Sequence, residues 1–463
     1  MAGASDLTVG SIPRHFQKMA LPIAIGMIFT TLYNVVDMYF AGMISTEAQA
    51  GLAISFQSFF ILVSIGFGTN AAMAALVGGA VGAKNWRRAK NIACQGISFA
   101  VIASIVLAVA GNSFSRAILG ILSEPGAYQD SAISYMRVLT LATPSFIVAF
   151  AANGILTAQG DAVSMQKAQI AAFFANLVLN PLFIFGVPGL VEGIGFNGIA
   201  LSTVASQTGV LAFILVKVFR SAAMDGGPSS FRPRRDSFRE IIGQAIPTSS
   251  SMIVMMIGAF IVQYYLKGFG PQAQAAYGIG LRIEQMLLLP GFSLAFALLP
   301  IASQNFGALE FDRMREAFAF CFKAGVSFML LASVALWVGG RFAMSIFADD
   351  PEVVRIGGDY LNVDGFLLPV YVMLFSLNSA LQAMRRPMWT LWIGVYRQIV
   401  GLSVFIPIFV FVLNMNTWGV WYGIAVSVST GLALSVLVTG KIAKKEIGGL
   451  IRNRIVASRN PTH

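Results

Sequence analysis

Long apolar stretches recur along the whole chain and restrict its fold more than any other feature. Of the 463 residues, 57% are hydrophobic and 11% are charged, whereas a soluble domain carries about 25% charged residues. Backbone groups in hydrocarbon must bond within their own segment, and a run of about 20 apolar residues can span a bilayer as a helix. The sequence therefore predicts an all-α integral membrane protein with twelve transmembrane helices, near 19–43, 52–79, 92–115, 132–158, 166–187, 195–219, 241–266, 273–302, 318–340, 356–383, 388–412 and 417–440.

The basic residues are concentrated between alternate spans. Most of the 31 lysines and arginines fall in the N-terminal segment, in KNWRRAK at 84–90, in the loop at 220–240 and after residue 440. Because basic loops stay on the cytoplasmic side, we expect both termini in the cytoplasm of a bacterial-type plasma (inner) membrane. This topology accounts for the net charge of +11, so we expect a lipid bilayer and no nucleic acid as partner.

The chain contains an internal repeat. At an offset of 225 residues its two halves align without a gap from about residue 22 to residue 202. The matches at this offset are not limited to glycine and alanine. They also include less common residues: Pro22 with Pro247, Tyr135 with Tyr360, Pro144 with Pro369, and Asn153 with Asn378. A duplication of one ancestral unit explains this agreement.

The repeat predicts the domain organisation. We expect an N-terminal six-helix bundle at 1–219, a cytoplasmic linker loop at 220–240, a C-terminal six-helix bundle at 241–440 and a basic cytoplasmic tail at 441–463. An even number of spans gives both halves the same orientation, so a pseudo-two-fold axis along the membrane normal would relate them. Two such bundles can rock against each other, which favours a transporter over a channel or an intramembrane enzyme.

One carboxylate interrupts the first apolar stretch, in TLYNVVDMYFAG at 31–42. This residue, Asp37, aligns at the repeat offset with Val262, so the fold does not need an acid there. Intramembrane carboxylates are costly and by default functional. With little water around it the charged form is disfavoured, so Asp37 can take up a proton, and a bound cation could replace that proton. Helical spacing places Tyr33, four residues earlier, on the same face as its nearest candidate partner.

Several motifs carry a family resemblance. PIAIGMIFTTLYNVVDMYFAG begins at Pro22, GGAVGAKNWRRAKN follows the second helix, NLVLNPLFIFG begins at Asn176, and LPIASQNFGALEFDRMREA occurs in the second half. With twelve spans in two halves, the chain resembles the multidrug and toxic compound extrusion (MATE) family. The resemblance implies export of drugs or organic cations in exchange for protons or sodium ions. The first-helix acid resembles the DinF-like branch, whose members are mostly regarded as proton-coupled.

The resemblance also implies a polar pocket in the first bundle. Its coupling-ion residues would be Asp37, Asn153, Asn176 and Asn180, with Tyr33, Tyr135 and Thr203 around them. Asn153 is repeated as Asn378, so a helix-packing role is an equal alternative for it. Asn180 stands where many relatives carry a second acid. Sodium-coupled NorM-like relatives carry a Glu in the seventh helix and an Asp in the tenth helix. Here the seventh helix has no acid, and Tyr371 occupies the place of the Asp in the tenth helix. These departures favour protons, while sodium stays an alternative.

The second half has its own charged residues in or near apolar stretches: Arg282, Glu284, Asp364 and Arg397. They either pair between helices or reach a water-filled cleft, where Glu284 could bind the substrate or a cation. Arg282 and Glu284 are two residues apart, so they face different ways on one helix. Met256 and Met286 are candidates for a deformable apolar wall of the substrate cavity.

Other functions find less support. An intramembrane hydrolase would need paired acids, a Ser and His pair or a zinc motif, and the histidines, His15 and His463, lie in the terminal segments. Cys94 and Cys321 stand in no metal or redox spacing. We therefore expect no enzyme activity, no metal and no cofactor, and a protein that works as a monomer. A lipid-linked or polysaccharide flippase of the same superfamily is the remaining alternative; such flippases often have fourteen spans and a cationic cavity.

Overall fold

The computed structural model describes residues 5–122, 127–187, 191–224 and 231–450, and within these ranges the chain is almost entirely helical. The helices are α1 (Ile12–Ile44), α2 (Thr46–Gly82), α3 (Trp86–Leu122), α4 (Ala127–Thr140), α5 (Thr143–Ala158), α6 (Val163–Phe185), α7 (Phe196–Phe219), α8 (Arg235–Leu266), α9 (Pro271–Gly307), α10 (Phe311–Ser345), α11 (Pro351–Ala383), α12 (Pro387–Val395), α13 (Leu402–Pro407) and α14 (Asn416–Ile447). Two two-residue strands, Gly186–Val187 and Val191–Glu192, pair antiparallel between α6 and α7.

The prediction of an all-α membrane protein is confirmed. In the described residues, eleven helices are long and apolar enough to cross a membrane, and the bent pair formed by α4 and α5 raises the number to twelve. Several helices extend beyond the predicted windows. The first, for example, begins at Ile12, because a helix can continue past the bilayer with polar residues on its exposed side.

The fourth span is broken, with a bend of 46° between its two helices. Pro144 stands in the first turn of α5, and the backbone N–H groups of Leu141 and Ala142 bond carbonyls only three residues back. Thr140 adds its hydroxyl to the carbonyl of Arg137, which competes with the regular helical bond. Its repeat counterpart is Gly365, which has no hydroxyl, and there α11 continues unbroken through Pro369.

The eleventh span departs from the regular helix predicted over 388–412. Its segments Tyr396–Gly401 and Ile408–Val412 are wound as wider π turns on either side of α13. Pro407 has no N–H to donate to the preceding turn, and it directly precedes the second π segment. Such turns often mark functional positions in helices, and the first one carries Arg397.

The chain forms two compact units. One contains Lys18–Ile253 together with the N-terminal residues through Asp6, and the other contains Leu7–Gln17 and the chain from Val254 onward. The border between them falls inside α8. The predicted domain limits around the loop at 220–240 stay a prediction.

Small residues let helices of the first unit approach closely. On α5, Ala151, Ala152 and Gly154 are buried. A Cβ built on Gly154 would lie 2.3 Å from the backbone oxygen of Asn70 in α2. That oxygen belongs to the main chain and cannot rotate away, so only glycine fits. Small residues at helix contacts are the usual means of packing in membranes.

We therefore expect Gly154→Ala to destabilise the protein by about 1–3 kcal/mol through overpacking. The measurement is the loss of monodisperse protein on heating in detergent. Gly209→Ala is the matched control, since a Cβ there meets no heavy atom within 4 Å and alanine favours a helix. Equal melting temperatures for Gly154→Ala and Gly209→Ala would contradict the close contact.

Candidate functional site

Asp37 lies on α1 inside the first unit, where its side chain is 6% exposed. Asn180 of α6 donates its amide to Asp37 Oδ1 at 2.8 Å, and Thr203 of α7 approaches Asp37 Oδ2 at 3.3 Å. Each carboxylate oxygen therefore has one neutral donor. No ion pair in the described part of the chain includes Asp37. The acid is thus bonded but not neutralised by a basic partner.

A closed ring of hydrogen bonds holds the principal donor in place. Asn180 Nδ2 donates to Asn176 Oδ1 at 3.0 Å, and Asn176 Nδ2 donates to Ser202 Oγ at 3.1 Å. The ring closes when the Ser202 hydroxyl, which also lies 2.9 Å from the Ile199 carbonyl, donates to Asn180 Oδ1. All three side chains are fully buried. Asn176 and Asn180 share one face of α6 because they are four residues apart. The ring fixes the Asn180 amide so that its second N–H points at Asp37.

The two tyrosines predicted for this pocket occupy different places. Tyr33 is buried, but its hydroxyl bonds Ser206 Oγ at 2.8 Å rather than the acid. The prediction of Tyr33 as the nearest partner of Asp37 is therefore corrected: Asn180 and Thr203 hold that position. Tyr135 is buried with its ring stacked on Phe196, 5.0 Å between centroids. Both tyrosines lie within electrostatic range of Asp37.

Asn153 lies on α5 and is 8% exposed. Its Oδ1 accepts no hydrogen bond from any described residue, so the structure does not join it to the ring. Its membership of the pocket stays a prediction. The repeat counterpart Asn378 likewise has an Oδ1 without a partner among the described residues.

Thr203 gives the site two states of hydrogen bonding. Its hydroxyl is within reach of Asp37 Oδ2 and also of the Ile199 carbonyl, at 3.1 Å. A hydroxyl has a single proton and can donate to only one of them at a time. When it donates to Ile199, its oxygen is free to accept a proton from a neutral carboxyl group. The site can therefore hold Asp37 with or without a proton and leave no polar atom unsatisfied.

The second unit contains a separate acidic cluster. Glu284 of α9 is buried and accepts a hydrogen bond from the Tyr360 hydroxyl of α11. Asp364, one turn along α11 and 1% exposed, has two oxygens that accept no hydrogen bond from the described residues. Asp364 is close enough to Glu284 for their charges to interact, and Arg397 on the first π segment is close enough to Glu284 to do the same.

The other predicted cavity residues of the second unit are more open. Arg282 is exposed while Glu284 is buried, so the two face different ways. Met286 is 52% exposed on α9, and Met256 on α8 is partly exposed. Their role as a cavity wall stays a prediction.

Two site residues were not predicted from the sequence. Ser202 closes the ring and Ser206 holds Tyr33, and both lie on α7 beside Thr203. Their spacing of four residues is the available signal, since it places both hydroxyls on one helix face. Serine is also common at helix contacts in membranes, which hides such a signal.

A many-span helical fold with buried acids inside its units is typical of a membrane transporter. A family model described as MatE matches residues 22–182 and 247–408, and its two matches begin at the repeat pair Pro22 and Pro247. The chain belongs to this family, the MATE transporters, and is not an enzyme.

Individual relatives agree with this assignment over nearly the whole chain. The chain is 25% identical over 433 residues to the "Probable multidrug resistance protein YoeA" of Bacillus subtilis, covering 92% of each chain. It is also 25% identical over 403 residues to an "FAD transporter" of Shewanella oneidensis, covering 86% of this chain and 88% of that one. A crystal structure of "MATE in complex with MaD3S" shares the fold, with a TM-score of 0.88 at 21% identity over 96% of this chain and 99% of that one.

We expect Ser202→Ala to cost about 1–3 kcal/mol, because it leaves the Asn180 oxygen and an Asn176 amide hydrogen unsatisfied away from water. Thermal unfolding in detergent measures this loss. The control is Ser104→Ala, a buried serine that bonds only a carbonyl of its own helix. Equal melting temperatures for the two variants would show that the ring contributes nothing to stability.

Proposed function

We propose that the protein is a secondary active exporter that exchanges amphipathic cationic compounds for protons by alternating access, with Asp37 as the protonation site. The observation that carries this proposal is the Asp37 carboxylate, buried between two neutral donors with no basic partner among the described residues. An acid with that environment changes its charge more readily than one locked in an ion pair. The first-helix acid is also typical of the mostly proton-coupled DinF-like branch.

The hydrogen bonds support a definite proton site. In the charged state Asn180 donates to Oδ1 and Thr203 to Oδ2. In the neutral state the proton resides on Oδ2 and is donated to Thr203, whose own proton turns to the Ile199 carbonyl. The Asn180 contact is kept in both states. The change requires one hydroxyl rotation and no movement of a helix.

The side-chain oxygens around Asp37 favour a proton over sodium as the coupling ion. Hard metal cations in proteins are held by several oxygen ligands. Here the Asn180 and Asn176 oxygens already accept hydrogen bonds within the ring. A metal ion at Asp37 would have to share those oxygens with the donors of the ring, whereas a proton needs only one acceptor.

The acids support a cationic substrate. Removing the proton from Asp37 leaves a buried negative charge, which a cation in the same region would offset, so proton and substrate compete. In the second unit Glu284 and Asp364 are both buried, and the partly exposed Arg397 lies within electrostatic range of Glu284, so two ionised acids there would exceed the positive charge by one. Glu284 is the substrate contact we propose there, with Met256 and Met286 as an adaptable apolar wall.

The test is ethidium export from proteoliposomes under separately imposed proton and sodium gradients. Wild type should export with the proton gradient alone. Asp37→Asn should fall to the level of empty liposomes, because the amide cannot bind and release the proton. Asp130→Asn is the control, since this exposed acid lies on α4 of the same unit and should export normally.

Two outcomes would overturn parts of this proposal. Export by Asp37→Asn at the wild-type rate would remove Asp37 from the mechanism. Export driven by sodium and not by protons would leave an exporter and reject proton coupling. The anionic flavin FAD, carried by the Shewanella relative according to its name, and a lipid-linked sugar phosphate serve as competing substrates. Transport of either one without ethidium transport would favour an anion carrier or a flippase.

A further inference from the structure

An open groove of about 410 Å³ lies where α8 begins in the first unit. We call it the arginine groove. Its lining consists of Pro233, Arg234, Arg235, Phe238, Arg239 and Ile242. Three guanidinium groups and three apolar side chains thus surround one small volume at the end of a membrane-spanning helix.

The backbone beneath the arginine groove is firmly attached to α3. Gln95, with no exposed surface, donates to the Arg232 carbonyl at 2.7 Å and accepts from the Arg234 N–H at 2.8 Å. Ser98 donates to the Phe231 carbonyl at 2.7 Å. The groove is therefore preformed, and binding a ligand would cost little backbone entropy.

Further contacts attach the start of α8 to α3. Asn91 bonds Ser237 at 3.1 Å, and Arg88 pairs with Glu240 at 2.7 Å. The Phe238 ring packs against Phe99 of α3. The side chains of Arg234, Arg235 and Arg239 take no part in these contacts.

The outward side is positively charged. Arg234, Arg235 and Arg239 are exposed, and none of them enters an ion pair within the described residues. Two acids adjoin these arginines in sequence: Asp236 is exposed, and Glu240 is paired with Arg88. The groove therefore has a net positive charge, and the planar guanidinium groups match the oxygens of a phosphate.

An apolar path leads from the arginines along the helix. Ile242 is 42% exposed and Ile246 is 47% exposed. With Arg235 and Arg239 they fall at helical spacings of three and four residues, which places all four on one face. Because α8 belongs to a candidate membrane span beginning at Arg235, the isoleucines lie about two and three helical turns into that span.

We propose that the arginine groove binds an anionic phospholipid, with its phosphate on the arginines and an acyl chain along Ile242 and Ile246. A soluble phosphate would use the arginines but not the isoleucines. Clusters of basic residues beside a membrane-spanning helix are the recognised means of holding such headgroups. The proposal is independent of the coupling ion and of Asp37.

The test is lipid binding to the full-length protein in detergent, counted by native mass spectrometry. Wild type should retain phosphatidylglycerol in preference to phosphatidylcholine. The triple variant Arg234→Gln, Arg235→Gln and Arg239→Gln should weaken phosphatidylglycerol binding about tenfold or more, because each basic residue near the membrane surface adds to the attraction. Phosphatidylcholine binding should not change.

A charge-matched control separates the groove from general charge. Arg87, Lys167 and Arg220 are exposed and lie outside the groove, so their replacement by glutamine should preserve phosphatidylglycerol binding. An equal loss in the control, or full binding by the groove variant, would overturn the proposal. Equal melting temperatures without lipid verify that both triple variants are folded.

Two further arms distinguish a lipid from a soluble phosphate. Ile242→Ser with Ile246→Ser should weaken phosphatidylglycerol binding while the arginines remain. Glycerol 3-phosphate, which has the headgroup chemistry and no acyl chain, should compete poorly. Effective competition by glycerol 3-phosphate together with unchanged binding by the isoleucine variant would reassign the groove to soluble phosphates.

Discussion

An unpartnered polar group in hydrocarbon costs several kcal/mol, and this single constraint determines most of what the molecule does with its polar residues. It makes the chain helical throughout its spans. It also explains why Asn176, Asn180 and Ser202 satisfy one another in a closed ring. Because the ring is complete, one Asn180 N–H remains for Asp37, and the acid is held by donors that do not fix its charge.

Duplication and divergence are visible at the same positions. The aromatic pair Tyr135 and Phe196 of the first unit recurs as Tyr360 and Trp421 in the second, with ring centroids 5.0 Å apart in both. The polar chemistry does not recur. Asp37 corresponds to Val262, and Ser202 to Ser427, which bonds the Arg397 carbonyl instead of an asparagine. The scaffold is shared, while each unit places its buried acids on different helices.

Sequence reasoning predicted the features that depend on hydropathy averaged over many residues. Twelve apolar windows match the observed spans, since hydropathy over about 20 residues is insensitive to local detail. It did not predict the break before Pro144, because Pro369 shows that proline alone does not produce one and the Thr140 side chain takes part. The π turns on either side of α13 were not predicted either, and only the second follows a residue, Pro407, that removes a helical donor.

The site was predicted only in part, because residue spacing shows which side chains share a face of one helix and does not show contacts between helices. Helical spacing joined Asn176 to Asn180 correctly, because both lie on one helix. It also suggested Tyr33 as the partner of Asp37, whereas the tyrosine is long enough to pass the acid and reach Ser206 on α7. Contacts between helices depend on side-chain length and helix rotation, which spacing along one helix does not contain.

The central claim is that a proton and a cationic substrate compete for Asp37, and proton release on binding tests it most directly. Ethidium is added to the purified protein in weakly buffered detergent over a series of pH values, and released protons are counted with an indicator dye. Where Asp37 is protonated beforehand, the account predicts release of about one proton per bound ethidium, as one carboxyl can supply, and none from Asp37→Asn. Tight ethidium binding to wild type without proton release at any pH would contradict it.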